Sequence, residues 1–287
     1  MTTFIYLLIR SLNIQGANAL NGNLGMGYPA MTAFHGFVRD AARSIAGRED
    51  VAATGFILVH HDARPRLYGR YNNRPTQKRS IYTEQRDPGS GRQGYYITPP
   101  GETKPQVDLQ VSLVIQIEGQ PDALADLTDA ERQRALPPRA LGGVVEGCDA
   151  VHTDGDPINL LQGLRRDYVV LDRTKMLHQD DERDALTTML DLLSPDAAHE
   201  RRLMPSQVGH LAISGTSAAR NYRDGRVPHV FTEPVTGLVE FQPLWQALQL
   251  KTAKPITWSV IQDQARGFHG VSAPSADLTP AIKEENP

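Results

Sequence analysis

Cysteine is almost absent: Cys148 is the only one in 287 residues. A disulfide framework needs pairs, and a cysteine-built zinc site needs several thiolates, so both are excluded. No membrane segment is evident. The N-terminal apolar run, Phe4 to Ile9, is far below the ~20 residues of a bilayer-crossing helix. Arg10 ends it, and no small-residue cleavage site follows. A reducing cytoplasm is the expected compartment, away from any membrane. Excess base is absent too. Lys and Arg number 30 against 33 Asp and Glu, a net charge of −3. Any nucleic-acid surface must therefore come from local clustering of base. What is present is a composition that folds: 40 % apolar and 22 % charged residues allow a sizeable core. With 24 Gly and 20 Pro, many turns and inserted loops are expected rather than a helix bundle.

Phe4 to Ile9 is apolar without alternation, the pattern of a strand covered on both faces. From Asn13 to Tyr28, Asn13, Asn18, Asn21 and Asn23 are interleaved with Gly16, Gly22, Gly25 and Gly27, the composition of a loop presenting amides and backbone N–H groups. A helix follows, with Thr32 as the expected N-cap and Gly47 as the stop. Phe34, Phe37, Val38, Ala41 and Ile45 form its apolar stripe. Gly36, inside it, is either a tolerated accident or a point of close approach by another backbone. Thr54 to His60 reads as a second strand. Residues 107–117 show the clearest periodicity: Val107, Leu109, Val111, Leu113, Ile115 and Ile117 alternate with Asp108, Gln110, Ser112, Val114 and Gln116, a sheet strand with one open face. This β-α-β, insertion, β order predicts an α+β fold: an RRM-like (ferredoxin-like) antiparallel sheet core with an inserted basic thumb loop and extra C-terminal elements.

One domain is expected over 1–272, with insertions at 61–105 (the basic thumb) and 120–205 (helical and partner-facing) and a flexible tail at 273–287. Helices are expected at 122–136 and 180–193. Short strands are expected at Leu211–Ile213, Val230–Phe231 and Trp258–Ile261.

The strongest chemical signal lies in the thumb. Arg64, Arg66, Arg70, Arg74, Lys78 and Arg79 occur without an acidic residue between Arg64 and Arg79, and Tyr68, Tyr71 and Tyr82 lie among them. Arg and Lys neutralise phosphates, and tyrosine rings stack on unpaired bases. The Asn/Gly loop feeding the first helix could hold an anion, but it matches neither a P-loop nor a Rossmann fingerprint. Asn13, Gln15 and Asn18 are expected to read bases through their amides, with His35 and Arg39 facing the RNA from the helix. Metal and catalytic signals are thin. His60 and His61 are adjacent in a strand and point to opposite faces. His152, Asp154 and Asp156 fit a polar turn. The acids at 180–182 fit a helix N-terminus. Ser214 sits outside any G-x-S-x-G elbow. No metal, cofactor or catalytic set is assigned. A metal-independent ribonuclease assembled from His35, His60, His61, Tyr68 and Lys78 is the enzyme alternative.

Leu12-Asn-Ile-Gln-Gly-Ala-Asn-Ala-Leu20, followed by Gly27-Tyr-Pro29 and Ala33-Phe-His-Gly-Phe-Val38, resembles a known family. So does Pro228-His-Val-Phe-Thr-Glu-Pro-Val-Thr-Gly-Leu-Val-Glu240. The resemblance is to the small tail subunit of type I-F CRISPR surveillance (Csy) complexes, in the RAMP superfamily. It implies a non-catalytic antiviral protein that caps the 5′ handle of the guide RNA and joins the backbone subunit of the filament. It also implies a large tail subunit as partner where one is present, and target double-stranded DNA as the complex's ligand. In a compact variant of the system the small subunit itself reads the target-flanking motif.

Overall fold

The computed structural model describes residues 4–21, 25–49, 51–66, 82–86, 93–97, 105–119, 124, 126–164, 166–178, 183–197, 201–215, 230–250 and 252–274. Its order begins β1 (Phe4–Asn18), α1 (Met31–Ala46), β2 (Ala52–Pro65) and β3 (Gln106–Glu118). Both β1 and β2 pair antiparallel with β3, Leu7 opposite Ile115 and Leu58 opposite Leu113. They therefore run parallel to each other on either side of it.

The alternation in β3 is realised as a difference between faces. Val107, Val111, Leu113 and Ile115 are buried on one face together with Leu7, Ile9 and Leu12 of β1 and Phe34, Val38 and Ala41 of α1. The α1 stripe supplies the 3.6-residue period that covers this face. The helix begins after Pro29 with Ala30, not Thr32, at the N-cap, so Thr32 falls inside the first turn. Gly47 ends it in the left-handed conformation, φ 62°, which glycine adopts without steric cost. Among the described residues, nothing lies within 4 Å of where a Cβ of Gly36 would stand, so none of their backbone approaches it.

The expected loop at 13–28 is strand as far as Asn18. Two register shifts in β1, between Ile9 and Leu12 and between Ile14 and Ala17, absorb the residues that do not fit a regular ladder. Ser11 at φ 50° and Gly16 at φ 67° lie within them. Bulges let an Asn/Gly-rich segment remain paired.

The segment expected to be helical, 120–205, is built of strands as well as helices. Thr128 and Glu131 form a reciprocal capping box that starts α2 (Asp129–Arg134), shorter than the expected 122–136. β4 (Gly143–Gly147) and β5 (Ala150–Asp154) both pair with the edge of β1 that β3 leaves free. After α3 (Pro157–Leu161), β6 (Tyr168–Asp172) pairs with β2, and Asp184 caps α4 (Ala185–Leu193). The C-terminal third adds β7 (Leu203–Ala212), β8 (Thr232–Pro243), β9 (Trp258–Asp263) and β10 (Phe268–Ser272). Hence the fold is α+β, with a mostly antiparallel sheet and few helices.

Both β6 and β9 pair with the same outer edge of β2, Tyr168 opposite His60 and Trp258 opposite Phe56. Since β6 also pairs with β8, β8 with β7, β7 with β10 and β10 with β9, the pairings close into a six-strand ring. Trp258 sits at the junction, fully buried. Its ring lies parallel to that of Phe56 with 6.3 Å between centroids, and its indole N–H donates to the Val170 carbonyl at 2.9 Å. Farther along, Asp172 accepts from the backbone N–H of Ala273 at 3.2 Å, which ties the chain down to the end of the sheet. Ala273 and Pro274, the first residues of the expected tail, are thus among the described residues, and residues 275–287 lie outside them.

Replacing Trp258 by Phe removes the donor to Val170 and opens a cavity. The orphaned carbonyl alone should cost about 1–3 kcal/mol, read as a lower urea midpoint with an unchanged denaturant slope.

Candidate nucleic-acid interface

Among the described residues, the second face of β1–β3 is covered at one end only. There Leu8, Ile57, Val59 and Val114 pack with Leu161, Leu164 and Leu244, and with Val169 of the adjoining β6. Toward the other end the same face turns polar and open. Asn13 and Gln15 of β1, Asp62 and Arg64 of β2, and Asp108 and Gln110 of β3 line a groove of about 320 Å³, with Glu146 of β4 at its side. Strand alternation explains the grouping, since Asn13 stands opposite Gln110 and Arg64 opposite Asp108. Asn18, opposite Gln106 beyond the Gly16 bulge, shares this face.

The cations here are partnered. The Arg64 Nε donates to Asp62 at 2.7 Å. Arg66 meets Asp108 through Nε at 2.9 Å and Nη2 at 2.8 Å, and the Gly16 N–H donates to the same carboxylate oxygen at 2.8 Å. Burial pushes the Asp108 acid upward, but the bonds from Arg66 and Gly16 outweigh it, and the carboxyl is held below its usual range. Asp108 thus pins the bulge and the root of the thumb together. A second bond pins the same root, from the Arg66 N–H to the Gln106 carbonyl at 2.8 Å. The amides are partly engaged: Asn13 Nδ2 donates to Ser11 at 3.2 Å, and Asn18 Oδ1 accepts from the Leu20 N–H at 3.2 Å. Gln15 is exposed.

Five of the expected site residues, Asn13, Gln15, Asn18, Arg64 and Arg66, are therefore brought to one face. Two are not. α1 covers the opposite face, so Arg39, although exposed, lies behind the sheet. His35 is only 9 % exposed, which corrects the expectation that it looks outward beside Arg39. Tyr68, Arg70, Tyr71, Arg74, Lys78 and Arg79 lie outside the described residues. The neighbouring hairpin pairs Tyr82–Arg86 with Gln93–Ile97. The groove's acids were not singled out as site residues from the sequence, although the alternation of 107–117 had already put Asp108 and Gln110 on an open face.

The thin chemical signals resolve into structural roles. His60 packs edge-on against Tyr28 and Phe241. His61, on the other face, contacts Ser112 Oγ at 2.6 Å and Asp167 at 2.9 Å. Asp154 accepts from the Asp156 N–H, and Asp156 caps α3 at the Ile158 N–H. His152 pairs with Asp129 at 2.9 Å. Burial pushes the half-buried Cys148 thiol up to about 11, the opposite of a reactive cysteine. Among the described residues, no three His, Cys, Asp or Glu side chains cluster as metal ligands, and no helix is long and apolar enough to cross a membrane.

Burial is the first cause that lowers the pKa of both His35 and His60. Arg39 and His269 add to it for His35, and His61 adds to it for His60. Both therefore give up a proton more readily in the fold than in the unfolded chain, which protonates them near the ordinary histidine value of about 6.5. The unfolded state then binds more protons, so stability is full above that value and falls as pH drops below it. Thermal midpoints recorded from pH 7.5 to 5.5 should decline. Substituting Gln at either histidine should make the decline shallower.

A family model described as CRISPR-associated protein (Cas_Csy2) matches residues 7–202. The match takes in β1, α1, β2, β3 and the root of the thumb, that is, the whole of the open face. It agrees with the resemblance carried by the Asn/Gly segment and the helix after it. With well over half of its length matched, this chain belongs to the Cas_Csy2 family of CRISPR-associated proteins, subunits of the type I-F Csy complex.

Proposed function

We propose that this chain is the non-catalytic subunit that binds and caps the 5′ handle of the guide RNA, using the open face of β1–β3 and the basic thumb that leaves β2. One observation carries the reading. Three amide residues and the first two arginines of the thumb, far apart in sequence, share one sheet face that the described residues leave open, while α1 packs against the opposite face. Parallel β1 and β2 flanking β3, with a helix behind, support an RRM-like core, a scaffold that binds unpaired bases on its free face. The mixed charge of the groove fits a surface that positions RNA rather than one that attracts any polyanion. Arg64 and Arg66 reach phosphates in competition with Asp62 and Asp108, so the net gain per arginine is small. The remaining affinity comes from Arg70, Arg74, Lys78 and Arg79, with Tyr68 or Tyr71 stacking on a base. Within the complex the chain joins the tail to the backbone subunit and, where it exists, a large subunit. It helps the assembly recognise double-stranded target DNA.

Substituting Gln for Arg64, Arg66, Arg70 and Arg74 should weaken handle binding. The log–log salt slope should fall by about 0.7 for every single-strand phosphate that no longer meets a cation. An unchanged slope in an assembled complex would remove the thumb from the site. Asp62→Asn tests the competition directly. It frees Arg64 and should tighten binding by about 0.2–1 kcal/mol, the scale of an exposed ion pair.

Nuclease chemistry needs a base within hydrogen-bond reach of the attacking hydroxyl and a second group at the leaving oxygen. His60 and His61 point to opposite faces, and His35 is buried. Purified protein should therefore leave repeat RNA and duplex DNA intact over hours, in EDTA or in Mg²⁺. Specific cleavage abolished by His60→Ala would establish the enzyme instead.

A further inference from the structure

On the α1 side of the sheet, at the same end as the groove, lies a second depression of about 310 Å³ whose walls are largely aromatic. His60 and Ala63 of β2 line it, with Tyr28 ahead of α1, Tyr168 at the start of β6, Phe241 of β8 and Arg202 just before β7. Three of the rings meet edge to face. Tyr28 stands 5.6 Å from His60 and 5.4 Å from Phe241, and His60 stands 5.2 Å from Phe241, at interplanar angles of 72°, 88° and 77°. The exposed Arg202 guanidinium lies 4.7 Å over the Tyr168 ring.

Tyr28 is 3 % exposed, and its hydroxyl and the Nδ1 of His60 are buried, so neither atom is presented to a guest. A guest would be met instead by the half-buried rings of Tyr168 and Phe241 and by the exposed Arg202. Aromatic rings and a guanidinium suit a flat heterocycle better than an aliphatic guest, because each of them attracts a π-face.

The position narrows the guest further. Ala63 faces this pocket while its neighbours Asp62 and Arg64 face the polar groove. The same few residues of β2 therefore present both, one on each face, just before the chain enters the thumb. We propose that the pocket receives a single unpaired nucleobase of the RNA whose backbone runs along the groove. The base stacks against the aromatic walls. The cation stacked on Tyr168 adds to the attraction for a π-face and stands near the adjoining phosphate. This inference rests on the reading that the chain binds guide RNA.

The test is an abasic scan. Synthetic handle RNA from the chain's own repeat, and copies each lacking one base, are titrated against the full chain and against the reconstituted complex by fluorescence anisotropy. One position should stand out, its base removal weakening binding by about five- to a hundredfold, the range of one base–aromatic stack. A Tyr168→Ala/Arg202→Gln double variant should bind intact RNA more weakly by a similar factor and become insensitive at that position alone. Tyr168→Phe should retain both. Arg202 is exposed, so Arg202→Gln alone carries the test if the double variant does not fold. An abasic profile identical in wild type and variant would overturn the proposal. So would loss of a partner subunit from the variant complex with the profile intact, which would give the pocket to a protein side chain. If intact handle RNA binds neither chain nor complex, the capping function falls first and the pocket with it.

Discussion

The outer edge of β2 is shared between two strands that arrive from distant parts of the chain, and Trp258 makes that sharing possible. β6 takes the half of the edge around His60, and β9 takes the half around Phe56. The indole fills the space between them, stacked on Phe56, and its N–H satisfies the carbonyl of Val170. A flat aromatic ring with a single donor suits this place, because it buries a large apolar area and leaves no polar group unpaired. Through this junction the C-terminal strands are continuous with the N-terminal sheet.

That junction also divides the second face of the sheet. The approach of β6 brings Val169 and Leu171 alongside Ile57 and Val59, and Leu161, Leu164 and Leu244 join the same cluster. The cover ends where β3 changes from Val114 and Ser112 to Gln110 and Asp108, and the remaining surface is the polar groove. A buried ion pair strengthens the far side of the ring. Arg173 Nε meets Glu240 at 2.6 Å, and Arg201 lies 3.7 Å from the same carboxylate oxygen. Loss of either member of such a pair strands a buried charge, so these residues serve the scaffold. The groove and the aromatic pocket are therefore two consequences of one placement, at the uncovered end of β2.

The charges of the groove are arranged to hold its shape. Asp108 binds the Gly16 N–H and the Arg66 guanidinium at once, so the bulge in β1 and the exit of the thumb share a fixed relation. Pre-ordering of this kind reduces the entropy lost on binding. It also accounts for the presence of acids beside the arginines of the groove.

Much of this was legible in the amino-acid sequence. The period-two pattern of 107–117 defined a strand with one covered and one open face, and the period-3.6 stripe of 34–45 defined the helix that covers it. Both signals are local, because side-chain direction follows directly from backbone geometry. The family, too, was legible in the Asn/Gly segment and the helix after it. Local composition misled at 13–18, where asparagine and glycine spelled a loop. Pairing with β3 and the Asp108 bond to Gly16 hold that segment as a bulged strand, and these interactions join residues far apart in the chain. Nor could periodicity tell that His35 is buried while Arg39 is exposed: that depended on how far the C-terminal strands reach around α1. Sequence alone determined which residues alternate. Only the tertiary structure decided which face was left open, because that depends on strands brought to the edge of β2 from more than a hundred residues away.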